Sequence, residues 1–510
     1  MLCASIPLIF VLLSSTQLSI EQWASLWSKR LPELLWNTLS LATLVAIASL
    51  ILGVSSAWLI SYRRFPGQML AVWLMVLPLT IPTYVFAHIY TSLTEPDSWF
   101  GQAWMGLFGD RSPPPDLYNL GGATLVLSLA GFSYIFLLVR AALCQSHKTL
   151  EEAARLQGLN SLQIFWRVNL PLLRPAIAAG LALIILHVLS DFGAVSMLHF
   201  QTFTLSIYTQ MSGRMDYHAA AGLSLVLVAL SLSFLVLERF FRNQQRYYSS
   251  TSGNYSERPI ATPKETLFIW SWIGLIAFFS FLLPLFWMIS WSWQAWQQEL
   301  IDNQFWEYAL NTGALAFSVA TITLMAGFPV AFFHAQKHTF LSQSFLHLSN
   351  IGFVLPGPVI ALGVLSFILA VLPVVYGTLI ALLIALIIRF LPLAVTAQEA
   401  ALQQLTPSIL DAGRIFGKGP INNLRYVILP IIRGGLASAW VLVFIDALKE
   451  LPATLLLRPT GFDTLPVRIW IEASEEMLEL AAPAALTLVI GTLPAIWLMI
   501  KSERNGIQSS

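Results

Sequence analysis

Four side chains able to ligate a cation stand within stretches that are otherwise apolar. His187 and Asp191 are spaced i, i+4 and so share one face of a helix, and Asp446 and Glu450 repeat that spacing with Lys449 beside them. A charge within an apolar span costs about 2.5–3.5 kcal/mol at mid-membrane, so such residues usually face a cavity or a partner. Carboxylate and imidazole groups both ligate metal cations. We therefore predict that the five residues face a pathway near its external gate, with Asp191 and Glu450 as candidate metal contacts.

A purely structural role explains the same residues. Carboxylates also cap helix ends, and Lys449 can pair with Asp446. The pattern defines no firm metal site. The whole sequence contains neither a nucleophile elbow nor a His-Glu-x-x-His zinc pattern, so we predict no catalytic residue in this chain.

The composition shows what must position these residues. Of 510 residues, 57% are hydrophobic and 10% are charged, and the mean hydropathy is +0.72. These values exclude a soluble protein and predict an all-α polytopic membrane protein. Twelve apolar runs are long enough to be spans: 2–19, 34–60, 68–92, 121–143, 173–198, 219–238, 266–290, 307–333, 345–371, 376–397, 432–457 and 480–500.

Basic residues give the orientation, because short cytosolic loops collect Lys and Arg. One set of alternate loops is rich in Lys and Arg, and the loops on the opposite side carry few basic residues. We predict that both termini are cytosolic. The basic side holds Arg63, Arg64, Arg140, Lys148, Arg155, Arg167, Arg174, Arg239, Arg242, Arg246, Arg414, Lys418, Arg425, Arg433, Lys501 and Arg504.

A polar segment on the predicted cytosolic side has the pattern of helix, break and helix. It contains Glu152-Ala153-Ala154, Gly158 and Leu170-Pro171. We expect Gly158 to take the left-handed conformation that ends the first helix. Asn160 or Ser161 caps the second helix, which we expect Leu170-Pro171 to close because proline disfavours helical geometry in the preceding residue.

The same pattern recurs at a constant offset of 259 residues and indicates an internal duplication. We predict a first half over 1–242 with its polar loop at about 146–172, a cytosolic linker over 243–265, and a second half over 266–510 with its loop at about 398–431. The residues of the second copy are Asp411, Ala412, Gly413, Gly417, Leu429 and Pro430.

Other landmarks repeat at slightly larger offsets. Asn37-Thr38 matches Asn311-Thr312 at 274 residues, as Gly53 matches Gly327, and Leu77-Pro78 matches Leu355-Pro356 at 278. The fall from 278 to 259 predicts about 19 extra residues in the first half, which we place in the external loop from Glu95 to Leu120.

The two polar segments resemble the EAA motif of the permease subunits of ABC importers, with its glycine and Leu-Pro at the expected spacing. The resemblance implies the type I permease fold, in which each copy is a coupling helix that docks on one of two cytosolic ATPase subunits. The second copy departs from the motif at Asp411 and Gly413, so we expect weaker or asymmetric docking there. Ordinary amphipathic loops on the membrane surface are the structural alternative.

A narrower resemblance covers nearly the whole chain. Two fused six-span halves, together with Asp191-Phe-Gly-Ala194, Lys449-Glu-Leu-Pro-Ala-Thr454 and Leu456-Leu457-Arg458-Pro459, look like the ferric-iron branch of these permeases. Thiamine and aminophosphonate permeases share the fused layout. The resemblance implies a multi-pass permease of the inner membrane, supplied with Fe³⁺ by a periplasmic or extracellular binding protein.

The chain lacks a complete phosphate loop. The nearest fragment, Gly417-Lys418-Gly419, has no hydroxyl residue after its lysine. We therefore expect ATP and Mg²⁺ on the partner ATPase and no cofactor on this chain. The expected partners are the two ATPase copies, the binding protein and the lipid bilayer, with no nucleic acid.

Two other classes of protein remain as alternatives. A secondary transporter driven by an ion gradient can also be built from repeats with broken helices, but it needs no matched docking helices for an ATPase. A structural or assembly protein of the membrane would show no substrate flux. Dependence of transport on ATP separates the first alternative from an ABC permease, and any substrate flux excludes the second.

Overall fold

The computed structural model describes residues 2–109, 112–145, 153–154, 156–243, 260–336, 339–403 and 420–509. Within these ranges the chain is helical, apart from loops and one isolated bridge between Arg64 and Ile260. The first half contains α1 (Leu2–Ser15), α2 (Ile20–Lys29), α3 (Leu31–Tyr62), α4 (Gln68–Val76), α5 (Thr83–Leu93), α6 (Trp99–Phe108), α7 (Leu120–Gln145), α8 (Ser161–Ile164), α9 (Leu170–Ser190), α10 (Gly193–Met197), α11 (Phe203–Tyr208) and α12 (Tyr217–Asn243).

The second half repeats the order of the long helices, with only the 3-10 segment Pro373–Val375 where the first half has α6. It contains α13 (Pro263–Ala277), α14 (Leu283–Gln297), α15 (Asn303–Gln336), α16 (Phe340–Ser349), α17 (Ile351–Val354), α18 (Gly357–Val371), α19 (Leu379–Leu402), α20 (Pro420–Asn423), α21 (Leu429–Leu448), α22 (Pro452–Leu457), α23 (Leu465–Ser474) and α24 (Leu478–Ser509). Short 3-10 segments lie at Leu77–Thr80 and Pro373–Val375, and π-helical turns at Phe165–Asn169, Thr209–Gly213, Phe278–Leu282 and Leu424–Ile428.

The prediction of an all-α polytopic membrane protein is confirmed. In the described part of the chain, nine helices are long and apolar enough to cross a membrane, or ten if Gln68–Thr80 and Thr83–Leu93 form one span bent by 93°. Two of the twelve predicted spans, near 2–19 and 345–371, correspond to the shorter apolar helices Ser5–Ser15 and Gly357–Val371. Two others, 173–198 and 432–457, end earlier than predicted, at Ser190 and Leu448.

The chain forms two compact units whose boundaries differ from those of the sequence halves. Unit 1 comprises Met1–Leu26, Ser206–Val228 and Trp291–Ser510, and unit 2 comprises Trp27–Leu205 and Ala229–Ser290. The first helix of each sequence half therefore belongs to the unit built mainly from the other half. In unit 1 this produces a close approach, since a Cβ atom added to Gly363 of α18 would lie 2.4 Å from Cα of Pro7 in α1.

Each unit is built around one long helix that packs against two others. In unit 2, α3 contacts α7 and α9, and a Cβ atom at Gly53 would lie 2.9 Å from the Phe132 carbonyl oxygen. In unit 1, α15 contacts α19 and α21, and a Cβ atom at Gly327 would lie 3.1 Å from Val395. The matched glycines thus mark equivalent close crossings.

The Asn-Thr landmarks have equivalent roles in the two units. Asn37 donates to the Gln201 carbonyl at 3.0 Å, and Thr38 accepts from the Phe203 amide at 3.4 Å. In the second half, Asn311 donates to the Asp463 carbonyl at 3.1 Å and Thr312 accepts from the Leu465 amide at 2.8 Å. Each pair fastens a long helix to an extended segment that leads into a later helix, here α11 or α23.

The predicted offset of 278 for the proline landmark is wrong. Pro82 and Pro356 are the equivalent residues, since each precedes its helix with the same extended geometry: φ −61° and ψ 148° at Pro82, φ −59° and ψ 153° at Pro356. They are 274 residues apart, like the other early landmarks. The first half therefore has 15 extra residues, not 19, and they fall between α5 and α7, where α6 lies.

We predict that Gly435→Ala destabilises the protein, whereas Gly434→Ala does not. A Cβ atom at Gly435 of α21 would lie 2.3 Å from Cβ of Ala401 in α19, while one at Gly434 would meet nothing within 4 Å. Overpacking costs about 1–3 kcal/mol, whereas alanine in an exposed helical position gains up to about 1 kcal/mol over glycine.

Denaturant unfolding of the detergent-purified variants tests this prediction. Equal stability of the two single variants would contradict the close crossing of α19 and α21.

Candidate functional site

The first polar segment ends its initial helix as predicted. Gly158 has φ +83°, and a Cβ atom there would meet nothing within 4 Å. The Leu159 amide donates to the Ala154 carbonyl at 3.2 Å, which is the six-to-one bond of a Schellman motif. Gly158 therefore ends the helix on an open surface, which confirms the predicted conformation.

Asn160 begins the next helix through a reciprocal cap. Its Oδ1 accepts from the Gln163 amide at 2.8 Å, and its own amide donates to Oε1 of Gln163 at 3.0 Å. This is the geometry of a capping box, with Asn and Gln in place of Ser and Glu. The predicted cap at Asn160 or Ser161 is thus confirmed and assigned to Asn160.

The prediction that Leu170-Pro171 closes this helix is wrong. After α8 the chain makes the π-helical turn Phe165–Asn169 and continues directly into α9, so Leu170 and Pro171 lie in the first turn of a long helix. The Leu170 amide donates to the Phe165 carbonyl, five residues earlier. The wider turn accommodates Pro171, which has no amide to donate and a ring that obstructs an ordinary helical turn.

The second copy has the same turn at the same offset. Leu424–Ile428 is π-helical, the Leu429 amide donates to the Leu424 carbonyl, and α21 continues through Pro430. The helical connection between each polar loop and its membrane span is thereby duplicated in geometry as well as in sequence. Glu152, Asp411, Ala412, Gly413 and Gly417 lie outside the described residues, and their role in coupling stays a prediction.

Asp191 lies where α9 ends and the short helix α10 begins. Its Oδ1 accepts from the amides of Ala194 at 2.9 Å and Val195 at 3.4 Å, and its Oδ2 accepts from the Thr83 hydroxyl at 2.5 Å. The Thr204 hydroxyl donates to its carbonyl oxygen at 2.6 Å. Asp191 is buried, and both of its carboxylate oxygens accept hydrogen bonds in a break between helices.

Glu450 has the equivalent position after α21. Its Oε1 accepts from the Ala453 amide at 3.1 Å, and its Oε2 accepts from the amide of Thr454 at 3.1 Å and from the hydroxyl of the same residue at 3.0 Å. Only 1% of its side-chain surface is exposed. The structural explanation of these two carboxylates as caps at helix ends is therefore confirmed for both.

Arg389 is a residue of this cluster that the sequence analysis missed. It lies inside the apolar helix α19, and its Nη1 is 3.6 Å from Oε1 of Glu450. The guanidinium occupies space left by Gly357, where a Cβ atom would be 2.0 Å from Nη1. At the 259-residue offset the first half has Ala130, so a lone arginine in only one of two matched spans was the available signal.

The remaining three residues of the predicted gate are less enclosed. His187 is half-buried, with its ring centroid 5.5 Å from that of Tyr134. Asp446, in the last turn of α21, has 44% of its side-chain surface exposed, and Nζ of Lys449 lies 3.9 Å from its Oδ1. Within the described residues, no three His, Cys, Asp or Glu side chains are grouped so as to hold a metal ion.

We predict that Arg389→Ala is strongly destabilising and that adding Glu450→Gln recovers most of the loss. Removal of the arginine leaves a buried carboxylate without its counter-charge, which costs about 3–5 kcal/mol. A glutamine at position 450 keeps an oxygen for the helix amides and carries no charge.

A double-mutant cycle of unfolding free energies in detergent tests this coupling. Arg214→Ala, at an exposed loop position, serves as the control and should change stability by less than about 0.5 kcal/mol. Equal losses in the single and double variants would disprove the coupling.

The chain is similar in sequence to known membrane transport proteins. Residues 49–247 match the family described as "Binding-protein-dependent transport system inner membrane component". The chain is 30% identical over 97% of its length to the Fe(3+)-transport system permease protein FbpB 2 of Haemophilus influenzae, and covers 95% of that protein. It is 25% identical to the putative ferric transport system permease protein FbpB 1 of the same organism, over 86% of this chain and 72% of that protein.

A third relative matches only part of the chain. The sulfate transport system permease protein CysT of Salmonella typhimurium is 30% identical over 43% of this chain and 80% of its own length. These relatives are permeases, which are translocation components rather than enzymes, in agreement with the expectation that this chain is not an enzyme. The chain therefore belongs to the family of inner membrane components of binding-protein-dependent transport systems, as a fused permease with multiple membrane spans.

Proposed function

We propose that this chain is the permease subunit of an ATP-driven importer of ferric iron. The observation that carries the proposal is the similarity to a protein named as an Fe(3+)-transport permease over 97% of the chain, including both halves. The sulfate permease relative matches only 43% of the chain, so it bears less on the substrate of the fused protein. A periplasmic or extracellular binding protein delivers the iron.

The two polar segments are the points at which ATPase subunits act. The Schellman motif at Gly158 exposes the end of a short helix, and the turn at Phe165–Asn169 joins the segment to α9 as continuous helix. A push on such a segment is transmitted along the helix, because helical hydrogen bonds continue through the turn. The matching turn Leu424–Ile428 provides the same connection to α21.

The mechanism follows from these connections. Two cytosolic ATPase copies bind ATP and Mg²⁺, close on each other, and shift the segments at Glu152 and Asp411. The helices that follow these segments, α9 and α21, carry the motion to the breaks at Asp191 and Glu450. The permease alternates between inward- and outward-facing states, with both of its termini in the cytosol, and performs no chemistry itself.

We predict ATP-dependent uptake of ⁵⁵Fe³⁺ by proteoliposomes that contain the permease, its ATPase and its binding protein. Omission of the ATPase or of ATP should abolish uptake, because no other energy source is coupled to the permease. Uptake driven by an ion gradient without the ATPase would identify a secondary transporter. ATP-driven uptake of thiamine, an aminophosphonate or sulfate without iron uptake would overturn the assignment of the substrate.

We also predict that cysteines at Gly158 and Gly417 crosslink to the ATPase subunit, in a background in which Cys3 and Cys144 are replaced by serine. Gly109→Cys is the matched control for Gly158→Cys. Gly109 also has positive φ, +92°, and open space around its Cα, but it belongs to the predicted external side. The measurement is a shifted band, identified by mass spectrometry, after treatment with a short bifunctional maleimide.

Crosslinking of Gly109→Cys to the ATPase, or of neither loop variant, would contradict the coupling assignment.

A further inference from the structure

The four membrane carboxylate and imidazole positions divide into two kinds. Asp191 and Glu450 are buried, and their oxygens accept hydrogen bonds from the amides of the next short helix. His187 and Asp446, four residues earlier in each half, are only partly covered. The two pairs therefore differ in how accessible they are to a solute, even though all four were predicted together as a gate.

Asp446 is the carboxylate whose side chain is accessible to a solute. Its side chain is 44% exposed, compared with 1% for Glu450. A carboxylate at the end of an apolar helix is expensive in hydrocarbon, so an exposed one requires water or a polar partner. Among the described residues paired with it, Lys449 lies at 3.9 Å, which is longer than a hydrogen bond.

The arginine of the cluster acts on both carboxylates. Arg389 lies 3.6 Å from Glu450 and balances that buried charge, and its positive charge also acts on Asp446. Lys449, at 3.9 Å, is a further counter-charge of Asp446, and a lysine ammonium forms no fixed bidentate pair with a carboxylate. A loose ion pair of this kind can exchange one cation for another at low cost.

We propose that Asp446 is the carboxylate that contacts the cation in transit and that Lys449 neutralises it when no cation is present. This inference rests on the proposed function for its substrate, a hard trivalent cation. Fe³⁺ favours anionic oxygen, so it displaces the ammonium from the carboxylate, and Lys449 returns when the ion leaves. A single carboxylate also holds the ion weakly enough to release it, which a transport pathway requires.

The first half provides a different group at the equivalent place. His187 precedes Asp446 by the 259-residue offset, and Ser190 stands where the second half has Lys449. The exchangeable charge pair therefore belongs to the second half. Substitution of Asp446 should accordingly impair transport more than substitution of His187.

The first test measures access of water and does not depend on iron. In a background with Cys3 and Cys144 replaced by serine, Asp446→Cys should react with a membrane-impermeant trimethylammonium methanethiosulfonate in proteoliposomes. Val443→Cys, on the same helix and fully buried, should not react and is the matched control. Failure of Asp446→Cys to react, or equal reaction at both positions, would overturn the inference.

The second test measures transport by the complete importer. We expect Asp446→Asn to lower ⁵⁵Fe³⁺ uptake by roughly ten-fold or more, and Asp446→Glu to restore most of it, with unfolding midpoints close to wild type. Wild-type uptake in Asp446→Asn would overturn the inference. So would loss of uptake accompanied by a lowered unfolding midpoint, because that result marks a structural residue.

The two proposals can fail separately. If the wild-type importer takes up no iron, the proposed substrate is rejected, and the labelling of Asp446→Cys still decides whether this carboxylate faces water. If iron uptake is normal in Asp446→Asn, the assignment of Asp446 is rejected and the importer function stands.

Discussion

Backbone amides freed in an apolar environment are the constraint on which this structure depends. Hydrocarbon offers them no hydrogen-bond partner, so a helix that breaks within the membrane must satisfy its amides from within the protein. In each half one carboxylate does so, Asp191 before α10 and Glu450 before α22, and both lie at the end of a long helix from the polar loop. The breaks can thus persist at fixed positions.

Two prolines near the starts of these helices also require a change in the helical hydrogen bonds. Pro171 and Pro430 are the second residues of the helices that follow the π-helical turns, where a missing amide and a bulky ring can be tolerated. Each long helix runs from its turn to its break as one helical element, with Pro175 inside α9. A single helix between a polar loop and a break near the carboxylates suits the transmission of motion.

Much of this was readable from the sequence, and the reasons differ between elements. Gly158 and Asn160 were predicted well because capping depends on a few adjacent residues. The prediction that Leu170-Pro171 closes the helix was wrong. A Leu-Pro pair fits a helix that ends, but it fits equally well a helix that continues after a π-helical turn. The offset of 278 was wrong because Leu355-Pro356 has the same residue types as Leu77-Pro78, whereas its structural equivalent is Ile81-Pro82.

The function of the polar cluster was the least predictable part. Spacing placed His187, Asp191, Asp446 and Glu450 on matching helix faces, but it could not distinguish an enclosed cap from a carboxylate with free surface. That distinction depends on neighbours distant in sequence, such as Thr83 for Asp191 and Arg389 for Glu450. Fold and family can be predicted from local sequence patterns. Which of these charged side chains are enclosed and which are accessible depends on tertiary packing.

Gly357 bears on how the two halves diverged after duplication. Any side chain at that position would overlap the guanidinium of Arg389, whose counterpart in the other half is alanine. A β-carbon at position 357 would therefore require the guanidinium to move from its place beside Glu450. The glycine and the arginine of the second half thus depend on each other, and a change at either position alters the surroundings of the buried carboxylate.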